Sequence, residues 1–131
     1  MLSITLVSLL IHTFAMQAQQ ASEIVHATHY GESYNGSPMG CISPNGLRQY
    51  YDSHNPNILA VGPTRYAEWP CGTQLLITGP EGTIQVTRTD SCPGCSHNVI
   101  DLSELGNELV CGSPPHTCRV TITRSIKDET L

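Results

Sequence analysis

Six cysteines (Cys41, Cys71, Cys92, Cys95, Cys111 and Cys118) follow an apolar opening run in a short chain, and this restricts the fold more than any other feature. An even count in a short exported chain reads as a disulfide framework, although six cysteines admit many pairings. The export signal is MLSITLVSLLIHTFAMQA, residues 1–18, which carries no Asp, Glu, Lys or Arg. It is too interrupted by Ser, Thr and His for a membrane anchor, and it ends in small residues. We read it as a secretory signal peptide cut near Ala18, with the amino terminus alone supplying the positive charge. Residues 19–131 then form one domain, small enough that each bridge matters at about 2–4 kcal/mol.

The only Phe, Phe14, falls in the signal, which leaves Trp69, Tyr30, Tyr34, Tyr50, Tyr51 and Tyr66 as the later aromatics. The core is therefore expected to be aliphatic, with the amphipathic rings free for a binding surface. Six basic against eleven acidic residues give a net charge of −5. That balance excludes nucleic acid as a partner and disfavours adsorption to acidic wall polymers. Asn35-Gly36-Ser37 is a glycosylation sequon followed by Pro38.

The local patterns are mostly strands. EIVHATHY (23–30), ILAV (58–61) and CRVTITR (118–124) read as strands, with Val120 and Ile122 inward in the last. QLLIT and TIQVTRT flank GPEG (79–82) as a hairpin. Residues 31–57, rich in Gly, Ser, Asn and Pro, read as a long irregular loop pinned by Cys41. VIDLSELGNELV (99–110) places Leu102, Leu105 and Leu109 at helical spacing. Many short strands and one small helix predict a β-barrel.

The span TDSCPGCSHNVIDLS (89–103) concentrates the chemistry. Cys92 and Cys95 have zinc-ligand spacing with His97 nearby, but a closed zinc site takes four ligands and Cys111 and Cys118 do not supply a second close pair. A redox dithiol would be expected within a βαβ pattern, which is missing. A structural disulfide without metal or cofactor is the expectation. Taken alone, Asp90 reads as an Asx-turn residue, and Asp101-Leu102-Ser103-Glu104 as a helix cap.

HATHYGESYNG, NPNILAVGP, CGTQLLITGPEGTIQVTRTDSCPGC and IDLSELG, in that order, resemble the double-psi β-barrel of the rare lipoprotein A and expansin superfamily. The resemblance spans residues 24–124 and is nearest to single-domain secreted fungal loosenins; Streptomyces-type papain inhibitors share the barrel. It implies a mainly β, six-stranded, disulfide-stapled barrel with one or two short helices, in which Asp90 and Asp101 line a groove. Family 45 endoglucanases use the Asp-Leu aspartate, here Asp101, as general acid. Their base lies in a first-strand motif that corresponds to Thr28-His29-Tyr30-Gly31-Glu32, so Glu32, with Glu in place of Asp, or else Asp90 is the candidate base. An inverting pair stands about 6.5–9.5 Å apart.

Thr28, Tyr30, Tyr34 and Trp69 complete the implied sugar-binding set. Trp69 fits equally a lid over the barrel end. His26 and His29 read as structural, and no histidine after ILAVGP matches that of the lytic transglycosylases. The expected function is a secreted, monomeric, expansin- or loosenin-like protein that binds and loosens cell-wall polysaccharide without hydrolysis, with no membrane attachment after signal cleavage. Alternatives are an inhibitor or effector of an extracellular protein such as a cysteine protease, and a glycoside hydrolase or lytic transglycosylase.

Overall fold

A computed structural model describes residues 21–125. The expected signal peptide lies outside the described residues. The strands are β1 (Ser22–Tyr30), β2 (Pro38–Ile42), β3 (Arg48–Tyr50), β4 (Ile58–Val61), β5 (Gln74–Gly79), β6 (Gly82–Ser91), β7 (Val99–Ser103) and β8 (Cys118–Arg124), with one helix, α1 (Glu104–Cys111), before β8. Single 3-10 turns occupy Glu32–Tyr34 and Pro63–Arg65. Six strands close a barrel in the order β1-β7-β4-β6-β5-β8, while β2 and β3 pair beside it. The β1–β7 and β4–β6 pairs are parallel and the rest antiparallel, so the predicted six-stranded mixed barrel is present. Among the described residues no helix is long and apolar enough to cross a membrane.

Strand periodicity builds the interior. Val25 and Ala27 on β1, Leu75 and Ile77 on β5, Ile100 and Leu102 on β7, and Val120 and Ile122 on β8 alternate inward. The core is mainly aliphatic, as expected, but Trp69 joins it and Tyr51 is buried in a smaller cluster with Met39 and Ile58; each large side chain sealed there contributes about 1.5–3 kcal/mol. The two-residue connection Pro80-Glu81 joins β5 to β6, as GPEG predicts. Three disulfides, Cys41–Cys71, Cys92–Cys95 and Cys111–Cys118, staple this frame.

Two local expectations are corrected. The helix begins at Glu104, not Val99. Val99–Ser103 pairs parallel with β1, where its β-branched and alternating residues bury Ile100 and Leu102. Ser103 is the helix N-cap, its Oγ accepting from Gly106 N at 3.1 Å, so Asp101 is a strand residue rather than a cap. The buried helix face is Gly106, Asn107, Val110 and Cys111, not the Leu105–Leu109 stripe. Residues 31–57 are not a plain loop either: the β2–β3 hairpin lies within them. Cys41 ties it to Cys71 at the barrel wall.

Candidate functional site

Register brings the acids together. Thr28 of β1 is opposite Asp101 of β7, and Ala60 of β4 is opposite both Asp101 and Asp90 of β6. These four residues thus form one transverse row over four neighbouring strands. The β4–β6 ladder shifts between Leu59 and Ala60, leaving Thr89 as an extra residue on β6 that re-aims Asp90. Ala60 adds almost no bulk between the acids, whose Cα atoms stand about two strand spacings, or ~10 Å, apart. Ala60, Asp90 and Asp101 of this row line a cavity of about 270 Å³ together with Tyr30, Tyr34, Pro38 and Pro93, whereas Thr28 reaches it only through Asp101. A larger hollow of about 600 Å³ lies on the barrel's outer wall around Ile24 and Pro80, away from both acids.

The two carboxylates differ in environment. Asp90 Oδ2 accepts from Tyr30 Oη at 3.0 Å, while its Oδ1 accepts from Gly40 N and Ser91 N, each at 2.8 Å. Arg88 braces the same strand end: its Nε donates to Asp90 O at 3.1 Å and its Nη2 to Ser91 Oγ at 3.0 Å. The guanidinium lies 4.7 Å from the Tyr66 ring centroid, and its burial lowers the Arg88 pKa from the usual value.

Asp101 has one such donor. Thr28 Oγ1 lies 2.9 Å from Asp101 Oδ1 and 3.1 Å from Ile100 O, sharing one proton between them. Burial pushes the Asp101 carboxyl above the usual carboxylate range and the Asp90 charge adds to this, against the Thr28 hydrogen bond and the His29 charge. Tyr30 is also pushed far up, first by burial and then by Asp90, so its hydroxyl stays a donor.

An aromatic stack forms the other wall. Tyr30 lies face to face with Tyr51 at 4.0 Å and edge-on to the exposed Tyr34 at 5.9 Å. Tyr51 Oη donates to Tyr30 O and accepts from Glu104 N at 3.3 Å, and burial pushes its pKa up to about 12. Tyr51, Gly40, Ser91 and Arg88 escaped the sequence reading. The adjacent Tyr50-Tyr51 pair was the only available signal, and it does not say which ring turns inward.

Other candidates lie elsewhere. Glu32 is a correction: the turn after Tyr30 sends it to a separate cavity with Ser53, His54 and Glu108, so it does not share the groove with Asp101. Of the two readings of Trp69, the sugar contact gives way to the lid: it is 5% exposed, part of the main core, and absent from the groove lining. Its surroundings, Glu23 and residues 122–124, belong to the start of β1 and the end of β8, whereas Asp101 is level with Thr28. His26 and His29 are exposed on β1. Asn35 exchanges two hydrogen bonds with Ser53, at 3.2 and 2.7 Å. Cys92 and Cys95 bond to each other, and among the described residues no group of three or more His, Cys, Asp or Glu is placed to hold a metal.

The Cys92–Cys95 loop at the rim is fixed by close backbone approach. Cys92 N donates to Val61 O at 2.8 Å, and a Cβ at Gly62 would overlap the Cys95 carbonyl. Gly62→Ala is expected to destabilise the fold by about 1–3 kcal/mol, measured as a lower urea midpoint with unchanged slope.

No family profile matches the chain, and no curated protein is similar to it in sequence. Solved structures are. Apo expansin of Clavibacter michiganensis superposes with a TM-score of 0.61 at 26% identity, over 81% of this chain and 52% of the expansin. A point mutant of that expansin in complex with cellohexaose gives 0.58 at 22%, over 80% and 50%. The Streptomyces papain inhibitor gives 0.56 at 20%, over 79% and 93%. The chain spans about half the length of the expansins it matches. The fold is the expansin-like double-psi β-barrel.

Proposed function

We propose that this is a secreted protein whose groove binds cell-wall polysaccharide and loosens its packing without cutting it. One observation carries the reading: Asp90 and Asp101 flank Ala60 in one open row beside the Tyr30–Tyr34 wall, yet three donors already occupy Asp90. Carboxylates and tyrosine faces suit sugar hydroxyls and ring C–H groups. A hydrolase needs a second carboxylate free to activate water. Asp90 is engaged, and Glu32 faces another cavity. Asp101 can hold or donate a proton, and among the described residues the groove lining offers no second carboxylate besides the engaged Asp90. The complex of an expansin with cellohexaose supports the ligand class, and three disulfides suit an oxidising compartment outside the cell.

The pure protein is expected to pellet with cellulose while releasing no reducing sugar. Sugar release lost in Asp101→Asn would overturn the non-hydrolytic reading. A second reading is binding of an extracellular protein such as a cysteine protease. It is favoured by exposed Ile42, Leu47 and Tyr50 on the β2–β3 hairpin, an apolar surface of the kind protein interfaces bury. Papain inhibition without pelleting would support it instead.

A further inference from the structure

A second cavity, of about 450 Å³, adjoins the groove. The two share their walls in sequence. On β6, residues 90–91 line the groove, with Cys92 just beyond the strand, and residues 87–89 line the second cavity; on the arm around β2, residues 37–38 line the groove and residues 41–42 the second cavity. Between them lies Gly40, exposed and without a side chain, its N–H on Asp90 Oδ1 at 2.8 Å. A Cβ there would lie 2.7 Å from Ser91 Oγ, so the divider is bare backbone held against β6. Residues 87–91 run about 13 Å along the strand, room for an oligosaccharide rather than one sugar.

The second cavity differs from the groove in charge. No Asp, Glu, Lys or His lines it, and its one cation, Arg88, is 5% exposed and already bonded to Asp90 O, Ser91 Oγ and Cys71 Sγ. What it offers is neutral. The half-buried Gln49 amide has no hydrogen-bond partner among the described residues. Asn57 Oδ1 accepts from Thr87 Oγ1 at 3.2 Å, which leaves its N–H groups for a ligand. Amides pair with hydroxyl and ether oxygens at no charge cost. An anionic ligand would meet Asp90 and Asp101 next door, and the cavity lining holds only the engaged Arg88 to offset them.

We propose that the cavity beyond Gly40, with Gln49 and Asn57, is a second binding site for a neutral, linear glycan whose other end occupies the Asp90–Asp101 groove. The proposal rests on the polysaccharide reading and adds a length requirement and a selection against acidic polymers.

Titration calorimetry with cellobiose, cellohexaose and a hexagalacturonide tests it. Wild-type protein is expected to bind cellohexaose well above cellobiose and the hexagalacturonide least. Gln49→Ala/Asn57→Ala removes two hydrogen-bonding groups and is expected to weaken cellohexaose about tenfold while leaving cellobiose unchanged. Gln49→Leu, which keeps the size and removes both polar atoms, is expected to show the same pattern. Equal loss for both neutral ligands, no loss for cellohexaose, or hexagalacturonide bound as tightly as cellohexaose overturns the second site alone. No binding of either neutral ligand by wild type overturns the polysaccharide reading and this proposal with it.

Discussion

Trp69→Ala is expected to lower the unfolding free energy by about 3–5 kcal/mol and to leave the groove's affinity for oligosaccharide unchanged in the folded protein. The ring is part of the main core cluster with Val25, Leu75 and Ile122, and its N–H backbone group donates to Arg65 O at 2.8 Å. It also covers a buried cation. Arg65, 1% exposed, lies 4.4 Å from the Trp69 centroid, bonds Glu23 at 2.9 and 2.7 Å, and reaches Glu68 at 3.0 Å. Removing the ring leaves a cavity and takes away the face on which the guanidinium rests. Urea denaturation measures the loss, and the melting temperature should fall by about 12 °C or more. A surface sugar platform would behave in the opposite way, with stability kept and affinity lost. That outcome would return Trp69 to the binding set.

Trp69 also marks where local pattern stops being informative. A ring between Glu68 and Pro70 has no periodicity to assign it, and only the closure of β1 onto β8 decides that it plugs the barrel. Elements made by neighbouring residues were legible: the β5–β6 hairpin from GPEG, β4 from its apolar run, and β8 from alternating Val120 and Ile122. Elements made by distant pairing were less so. β7 reads as helix because Leu102, Leu105 and Leu109 satisfy helical spacing, and its partner β1 lies more than seventy residues away in parallel register, which has no turn signature. The β2–β3 hairpin hides behind Pro38, Gly40 and a three-residue strand, held by a disulfide and by Asp90 rather than by strand propensity.

The site divides along the same line. Asp90 and Asp101 were found by resemblance to a family motif, not by local pattern, which favoured a turn and a cap. Their convergence comes from register against Ala60, and the donors that distinguish them, Tyr30, Gly40 and Thr28, come from fifty to seventy-three positions away. Glu32 comes from the same kind of motif correspondence, on Thr28-His29-Tyr30-Gly31-Glu32, but it lines another cavity. The turn that starts at Gly31 takes it there.

Asp101→Asn is expected to weaken oligosaccharide binding about ten- to hundredfold while making the fold more stable at neutral pH. The loss follows from exchanging a charged acceptor for an amide, since hydrogen bonds to a charged group contribute about 1.5–3 kcal/mol. The gain follows from the raised carboxyl, which burial disfavours in its ionised form, with Asp90 adding and Thr28 and His29 opposing. The folded state holds this proton to higher pH than the unfolded chain. Between the unfolded and folded pKa values the folded protein therefore binds more protons, and wild-type stability falls as pH rises through that window. Below the unfolded value the penalty is absent, and above the folded value it is fully present. Asparagine has no such penalty and still offers Oδ1 to Thr28. The variant and wild type should be about equally stable near pH 3, and the variant should be the more stable near neutrality. Urea midpoints across that range, beside calorimetry with cellohexaose, measure both effects. Weaker binding with an unchanged or lower neutral-pH midpoint would mean that Asp101 stabilises the barrel. Stability gained with binding intact would remove it from the glycan contact.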